Sequence, residues 1–124
     1  MNNGKQRVVV LGASPKPERY SNRAVRLLVE HGHEVLPVNP AVPVIEDLPV
    51  IHSLDDISGH VDTVTLYVAA GRSSPMADSL VGLHPDRVIF NPGAENPALK
   101  LQLESNGIRT EDACTLVLLN TEQF

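Results

Sequence analysis

Short β-branched apolar runs alternate along the chain with stretches of helical period. Arg7-Val8-Val9-Val10-Leu11 is apolar after its first residue and stops at Gly12. A continuous run of this kind predicts a strand covered on both faces. From Asn22 to His31 the apolar positions Ala24, Val25, Leu27, Leu28 and Val29 make a broad helical face, closed by Gly32 at a position that favours left-handed backbone. Glu34-Val35-Leu36-Pro37-Val38 reads as the next strand, with Pro37 near an end or bulge because it lacks a ladder donor. Residues 39 to 51 hold Pro40, Pro43 and Pro49 and read as an irregular loop. Ser53-Leu54-Asp55-Asp56-Ile57 resembles a single capped helical turn.

The alternation continues. Thr63 to Val68 is a strand, and Ser74-Pro75 reads as a cap followed by proline at the first helical position, with Met76, Leu80 and Leu83 as the buried stripe. Arg87-Val88-Ile89-Phe90 is a fourth strand. Asn96-Pro97 repeats the cap-plus-proline signal for a helix running to about Asn106 and ended by Gly107, Ile108-Arg109-Thr110 is a short fifth strand, and Thr115 to Leu119 is an apolar tail. Strand–helix alternation at this spacing predicts βαβ units, hence an α/β fold with a parallel sheet covered on both faces. The expected architecture is one Rossmann-like, doubly wound domain over residues 1–124, with about five strands in the order 3-2-1-4-5 and residues 1–6 as a flexible tail.

Ligands of such sheets sit at the carboxyl ends of the strands, so four loops matter. The first, Gly12-Ala13-Ser14-Pro15-Lys16-Pro17-Glu18-Arg19-Tyr20-Ser21-Asn22, opens a helix. Backbone N–H groups there attract anions, and Lys16 and Arg19 add positive charge. It has a single glycine and no G-x-G-x-x-G, so a plain strand–helix connection stands beside the phosphate reading. The second, Val38-Asn39-Pro40, lacks the acid that would grip ribose hydroxyls in a nicotinamide-binding fold, which disfavours NAD. In the third, Ala69-Ala70-Gly71-Arg72-Ser73-Ser74-Pro75, small residues allow close backbone approach and Arg72 can meet a phosphate, unless it is merely solvated. The fourth, Asn91-Pro92-Gly93-Ala94-Glu95-Asn96-Pro97, is a run of turn formers that can wall the same cleft, unless it is a plain turn.

Composition narrows the function. The 124 residues carry a net charge of −5 with 20% charged residues, a balance that speaks against a nucleic-acid partner. Aromatics are 3% with no tryptophan, too few for base-stacking platforms. No apolar run approaches the ~20 residues of a membrane span. The lone Cys114 rules out an intrachain disulfide and fits a reducing, cytoplasmic setting; its apolar flank predicts a buried, inert thiol. His31, His33, His52, His60 and His84 show no ligand spacing, so no metal site is expected. Asp55 and Asp56 read as helix-start charges. No G-x-S-x-G or Walker loop occurs, and no catalytic set is expected.

Val10-Leu11-Gly12-Ala13-Ser14-Pro15 with Arg19-Tyr20-Ser21-Asn22 resembles the first loop of the small, stand-alone CoA-binding proteins. Val38-Asn39-Pro40, Tyr67-Val68, Arg72-Ser73-Ser74-Pro75 and Phe90-Asn91-Pro92-Gly93 are similar to that family's later loops, in the same order from about Arg7 to Phe124. The fold is also similar to the N-terminal CoA-binding domain of the succinyl-CoA synthetase α subunit and of ADP-forming acyl-CoA synthetases. The resemblance implies coenzyme A as the ligand. It implies that Gly12, Ala13, Ser14, Pro15, Lys16, Pro17 and Arg19, with Tyr20 beside them, wrap the pyrophosphate. Val38, Asn39 and Pro40 would flank the adenosine, Tyr67, Val68 and Ala69 would lie under the nucleotide, and Asn91, Pro92 and Gly93 would close the pantetheine path. A departure from the synthetase-type pattern follows Pro40, where Ala41-Val42-Pro43-Val44 has no basic residue to meet the 3′-phosphate. Lys16, Arg19 and Arg72 are then left to supply charge. The expected function is a CoA or acyl-CoA binding module without chemistry of its own. The alternatives are one subunit of a split ADP-forming acyl-CoA synthetase, a dinucleotide oxidoreductase, or a scaffold domain that has lost nucleotide binding. Expected partners are CoA or acyl-CoA, with no nucleic acid and no membrane; a homodimer or a synthetase-type subunit stays open.

Overall fold

The computed structural model describes residues 4–124. Five parallel strands form the sheet: β1 (Arg7–Leu11), β2 (Glu34–Val38), β5 (Thr63–Leu66), β6 (Arg87–Phe90) and β7 (Arg109–Asp112), arranged β2-β1-β5-β6-β7. Between β2 and β5 lies a two-stranded antiparallel hairpin of β3 (Val44–Ile45) and β4 (Leu48–Pro49). The helices are α1 (Tyr20–Glu30), α2 (Ala70–Ser73), α3 (Ala77–Leu83), α4 (Pro97–Ser105) and α5 (Thr115–Asn120).

The Rossmann-like order is consistent with 3-2-1-4-5 once a rudimentary third member is counted. Beyond β2 the chain touches the sheet at one parallel bridge, Val38–Ile51, made by Ile51 N–H to Pro37 O at 2.9 Å and Asn39 N–H to Ile51 O at 3.0 Å. That outer member stays this short because Pro40, Pro43 and Pro49 remove donors from the segment. The strand at 63–66, third among the full strands, therefore pairs with β1.

Both faces of β1 are buried, as a continuous apolar run requires. Val8 and Val10 join Val25, Leu28 and Leu119 under α1 and α5. Val9 and Leu11 join Val64, Leu66, Leu80, Leu99 and Leu103 under α3 and α4.

Four local readings change. Residues 39–51 are not wholly irregular: Glu46 and Asp47 both adopt positive φ, 49° and 64°, the requirement for a tight two-residue hairpin turn. The third-loop helix begins at Ala70 rather than at Ser74. Ser74-Pro75 sits inside the helical stretch, where the proline falls in a single 3-10 turn, Ser74–Met76. Asn96 Nδ2 donates to the Ser73 and Ser74 hydroxyls at 2.8 and 3.0 Å, so Ser74 is held sideways instead of capping. The apolar tail folds as α5, with Thr115 and Leu119 buried. Of the expected tail 1–6, residues 1–3 lie outside the described residues, whereas Gln6 is fixed: its N–H donates to His33 Nδ1 at 3.0 Å and its Oε1 accepts from Thr63 Oγ1 at 2.7 Å.

Candidate functional site

The carboxyl ends of β1, β2, β5 and β6 surround a cavity of about 460 Å³. Its position follows from the strand order, since the chain leaves β1 and β5 toward opposite faces and opens a crevice between their loops. Gly12 makes that crevice tight. Its φ is +90°, and a Cβ there would lie 2.7 Å from Val68 Cγ1, so any side chain would collide with Val68 at the entry to the third loop. Its N–H and that of Ala13 both donate to Val38 O, at 3.2 and 3.1 Å, which ties the first loop to the end of β2.

Three amide side chains do the remaining holding. Asn39 Nδ2 donates to Ala13 O at 2.8 Å while its Oδ1 accepts from the N–H groups of Ala41 and Val42. Asn22, fully buried, donates to Ser14 O at 2.9 Å and to Glu46 Oε2 at 3.1 Å. Its Oδ1 accepts from Arg26 Nε, and Arg26 in turn donates to Pro17 O at 2.8 Å. Asn91, also buried, donates to Thr65 Oγ1 and Leu66 O and accepts from Thr115 N–H. Asn39 and Asn91 thus shape the walls and have their amides engaged within the protein.

The charged groups behave differently. Lys16, Arg19 and Arg72 line the cavity and no carboxylate does. All three are exposed, and among the described residues none forms an ion pair. The first turn of α1 has no acidic residue and no side-chain cap, so its leading N–H groups are open to an incoming acceptor. Tyr67 is a neutral wall: burial pushes its phenol up to about 12.

The structure brings together most of the residues singled out in the sequence. Gly12, Ala13, Ser14, Lys16, Arg19, Tyr20, Asn39, Pro40, Tyr67, Val68, Arg72 and Pro92 line the central cavity. Pro15, Pro17, Ala69 and Gly93 lie in the same loops but do not line it, and Asn91 and Val38 line neighbouring spaces. Two smaller cavities adjoin it. One of about 180 Å³ lies on the β2 side and shares Gly12, Pro40, Val68 and Arg72 with it. One of about 230 Å³ lies on the β6 side and shares Tyr20, Tyr67 and Pro92. Cys114 lines the latter and is half-buried; its place just before α5 exposes it more than its apolar flank suggested. No site role was read for Ser21 or Asn22, although both stand in the first loop, nor for His52. Asn22 fell on the expected helix face, and nothing local marked His52 as returning to the sheet edge.

The sequence model of the CoA binding domain matches residues 6–120. A relative from Bacillus subtilis (strain 168), the uncharacterized protein YneT, is 31% identical over 85 residues, which is 68% of this chain and 62% of that one. The match therefore spans less than two thirds of that relative's length. A crystal structure of an uncharacterized protein superposes with a TM-score of 0.92 at 38% identity, covering 98% of this chain and 100% of the other. A Thermus thermophilus protein superposes at 0.87 with 26% identity over 97% of this chain and 91% of its own. The dinucleotide-forming acetyl-coenzyme A synthetase 1 of Ca. Korarchaeum cryptofilum shares the fold, with a TM-score of 0.76 at 18% identity over 87% of this chain and 26% of that enzyme. By its sequence match over nearly the whole chain, this protein belongs to the CoA-binding domain family.

Proposed function

We propose that this chain is a single-domain module that binds CoA or acyl-CoA and carries out no chemistry on it. The observation that supports this most is the charge of the central cavity. A chain of net charge −5 places Lys16, Arg19 and Arg72 around one space with no carboxylate among the lining residues. A polyanion relieves the mutual repulsion of such cations. The uncapped start of α1 adds oriented N–H groups at the same place. Lys16 and Arg19 meet the pyrophosphate in this reading, with Ser14 and Gly12 beneath it.

The second strand supports CoA over NAD. A ribose diol needs an acceptor at the end of β2, and the residue there is Asn39, whose carbonyl oxygen is already taken by Ala41 and Val42. The side chains that most often act as general acids and bases are imidazoles and carboxylates, and the central lining carries neither, its titratable groups being Lys16, Tyr20 and Tyr67.

Thermal shift against CoA, acetyl-CoA, NAD, NADP, ATP and ADP tests the reading. At a hundredfold excess over Kd, ligand linkage gives ~2.7 kcal/mol, which for a chain of this size is a rise on the order of 3–7 °C. CoA raises Tm more than NAD at equal concentration. A larger rise with NAD overturns the reading.

A further inference from the structure

The three adjoining cavities differ in what they can hold. The β6-side cavity is lined by Tyr20, Tyr67, Asn91, Pro92, Cys114 and Leu116 and has no cationic side chain. The β2-side cavity combines apolar walls, Val38, Leu54 and Met76 among them, with His52 and Arg72. CoA is just as uneven. One end is an aromatic base on a ribose bearing a 3′-phosphate; the other is uncharged amides and a thiol. With the pyrophosphate in the central cavity, the phosphorylated nucleoside matches the β2 side and the uncharged arm matches the β6 side.

Arg72 borders both the central and the β2-side cavities, so its charge is shared with the pyrophosphate. His52 borders only the β2-side one. We propose that His52 recognises the ribose 3′-phosphate and so makes this protein selective for 3′-phosphorylated adenine nucleotides over their dephospho forms. The inference rests on the CoA reading above and adds to it the residue that sets specificity.

The backbone around His52 is fixed on both sides. Before it, Ile51 is bound into the edge of β2 by the bonds to Pro37 and Asn39. After it, Ser53 Oγ accepts from Asp55 N–H at 3.2 Å and caps the following turn. An exposed imidazole on a backbone fixed at both neighbours therefore stands beside the Asn39-Pro40 turn with an N–H donor on its ring. The nearby carboxylates do not compete: Asp55 lines a separate cavity with Asp78, and no carboxylate lines the β2-side cavity. The residues right after Pro40, Ala41-Val42-Pro43-Val44, supply no base, so the chain's return at His52 offers the donor that this stretch lacks.

Isothermal titration calorimetry of CoA and 3′-dephospho-CoA at one pH, with the wild-type chain and with His52→Ala, tests the assignment. A charge-assisted bond to phosphate corresponds to a preference of about tenfold or more. The wild type then binds CoA at least about tenfold more tightly than dephospho-CoA. His52→Ala loses most of that preference and keeps its affinity for dephospho-CoA. His52 is exposed, so the substitution leaves the fold intact. Binding of CoA with equal affinity for the two nucleotides, or an unchanged ratio in His52→Ala, overturns the role of His52 and leaves the CoA reading standing. Binding of neither nucleotide overturns both.

Discussion

The cations at the starts of β1 and β6 and those around the central cavity are placed in opposite ways. Where β1 and β6 begin, cations are matched, whereas Arg109 at the start of β7 is exposed and forms no ion pair among the described residues. Arg7 Nε lies 3.1 Å from Glu34 Oε2, and its guanidinium also donates to Ser58 O and His60 O. Arg87, buried at the start of β6, donates to Thr63 Oγ1 and to Glu111 Oε1 at 2.8 Å, and it lies 4.6 Å from the centre of the Phe124 ring. Beside them the His60 ring, whatever its charge, has Nε2 at 3.3 Å from Asp62 and 3.0 Å from Asp86. Around the central cavity, Lys16, Arg19 and Arg72 have no ion pairs among the described residues, although Lys100 pairs with Asp112 at the end of β7. The neutral amides of Asn22, Asn39 and Asn91 hold that end together instead. Matched charge at the starts of β1 and β6 makes that the closed end of the sheet; unmatched charge over an amide framework makes the central cavity its open end.

If this contrast is right, a cation at the closed end supports the fold and one at the open end supports the ligand. The largest effect is expected for Arg87→Met. Removing one partner of a buried pair costs several kcal/mol, and Glu111 is 39% exposed and can rehydrate, which holds the loss to about 2–3 kcal/mol. In chemical denaturation the midpoint drops accordingly, and Tm falls by roughly 8–12 °C. A loss under about 0.5 kcal/mol, the range of ordinary surface changes, would erase the difference between the two ends.

Arg19→Ala and Arg72→Ala probe the open end. Each is expected to weaken CoA binding by roughly 1.5–3 kcal/mol through loss of a charge-assisted bond. Each leaves the stability of the ligand-free protein within about 0.5 kcal/mol. Calorimetry and denaturation on the same two variants check both halves. Unchanged affinity in both would return these arginines to ordinary solvated side chains.

Much of this architecture could be read from the sequence because its signals are local. Val8 to Leu11 is buried on both faces, and a continuous apolar run says so without help from the rest of the chain. Lys16, Arg19 and Arg72 showed up because they lie in loops after strands. The failures were long-range. Ser74-Pro75 has the local form of a helix start, yet Asn96, more than twenty residues away, takes the serine hydroxyl. Glu46-Asp47 makes a tight hairpin turn without the glycine that normally announces one. Asn39 and Asn91 looked like cleft residues, but where their amides point depends on the partners they reach, Ala13 and Thr65. His52 reaches the site because the edge bridge at Ile51 brings it back.

The amide framework gives a sharper cut. Asn39→Ala removes the donor to Ala13 O and the acceptor of two N–H groups in a half-buried turn. A loss of about 1–2 kcal/mol in stability follows from those unpaired groups. Because the first loop then keeps only its backbone bonds to Val38 O, it is held less firmly and CoA affinity falls as well, although the variant keeps every cation. Asn39→Ala thus moves both readouts, whereas Arg72→Ala moves affinity alone. Full affinity in Asn39→Ala would show that the cations bind the anion without help from the turn.

The smallest expected effect is a pH dependence at the closed end. His33 packs against the Phe124 ring, 5.2 Å between centroids, and its Nδ1 accepts the Gln6 N–H at 3.0 Å. That bond requires an unprotonated Nδ1. Burial, and to a lesser degree the nearby His31 and Arg87, lower the His33 pKa from 6.5 against a weaker opposing pull from Asp62. The folded chain therefore binds this proton less readily than the unfolded chain. Below the unfolded value of 6.5 the unfolded state holds more protons, so stability drops as pH falls from 6.5 toward the lowered folded value and is intact above it. Other groups titrate over the same range, so the informative quantity is a difference. Thermal unfolding is followed from about pH 7.5 to about pH 5.5 in the wild type and in His33→Asn, whose side-chain carbonyl can still accept from Gln6. Wild-type Tm falls more steeply on acidification than that of the variant. Parallel curves would mean that His33 titrates alike in the folded and unfolded chains and contributes nothing to the pH response of the closed end.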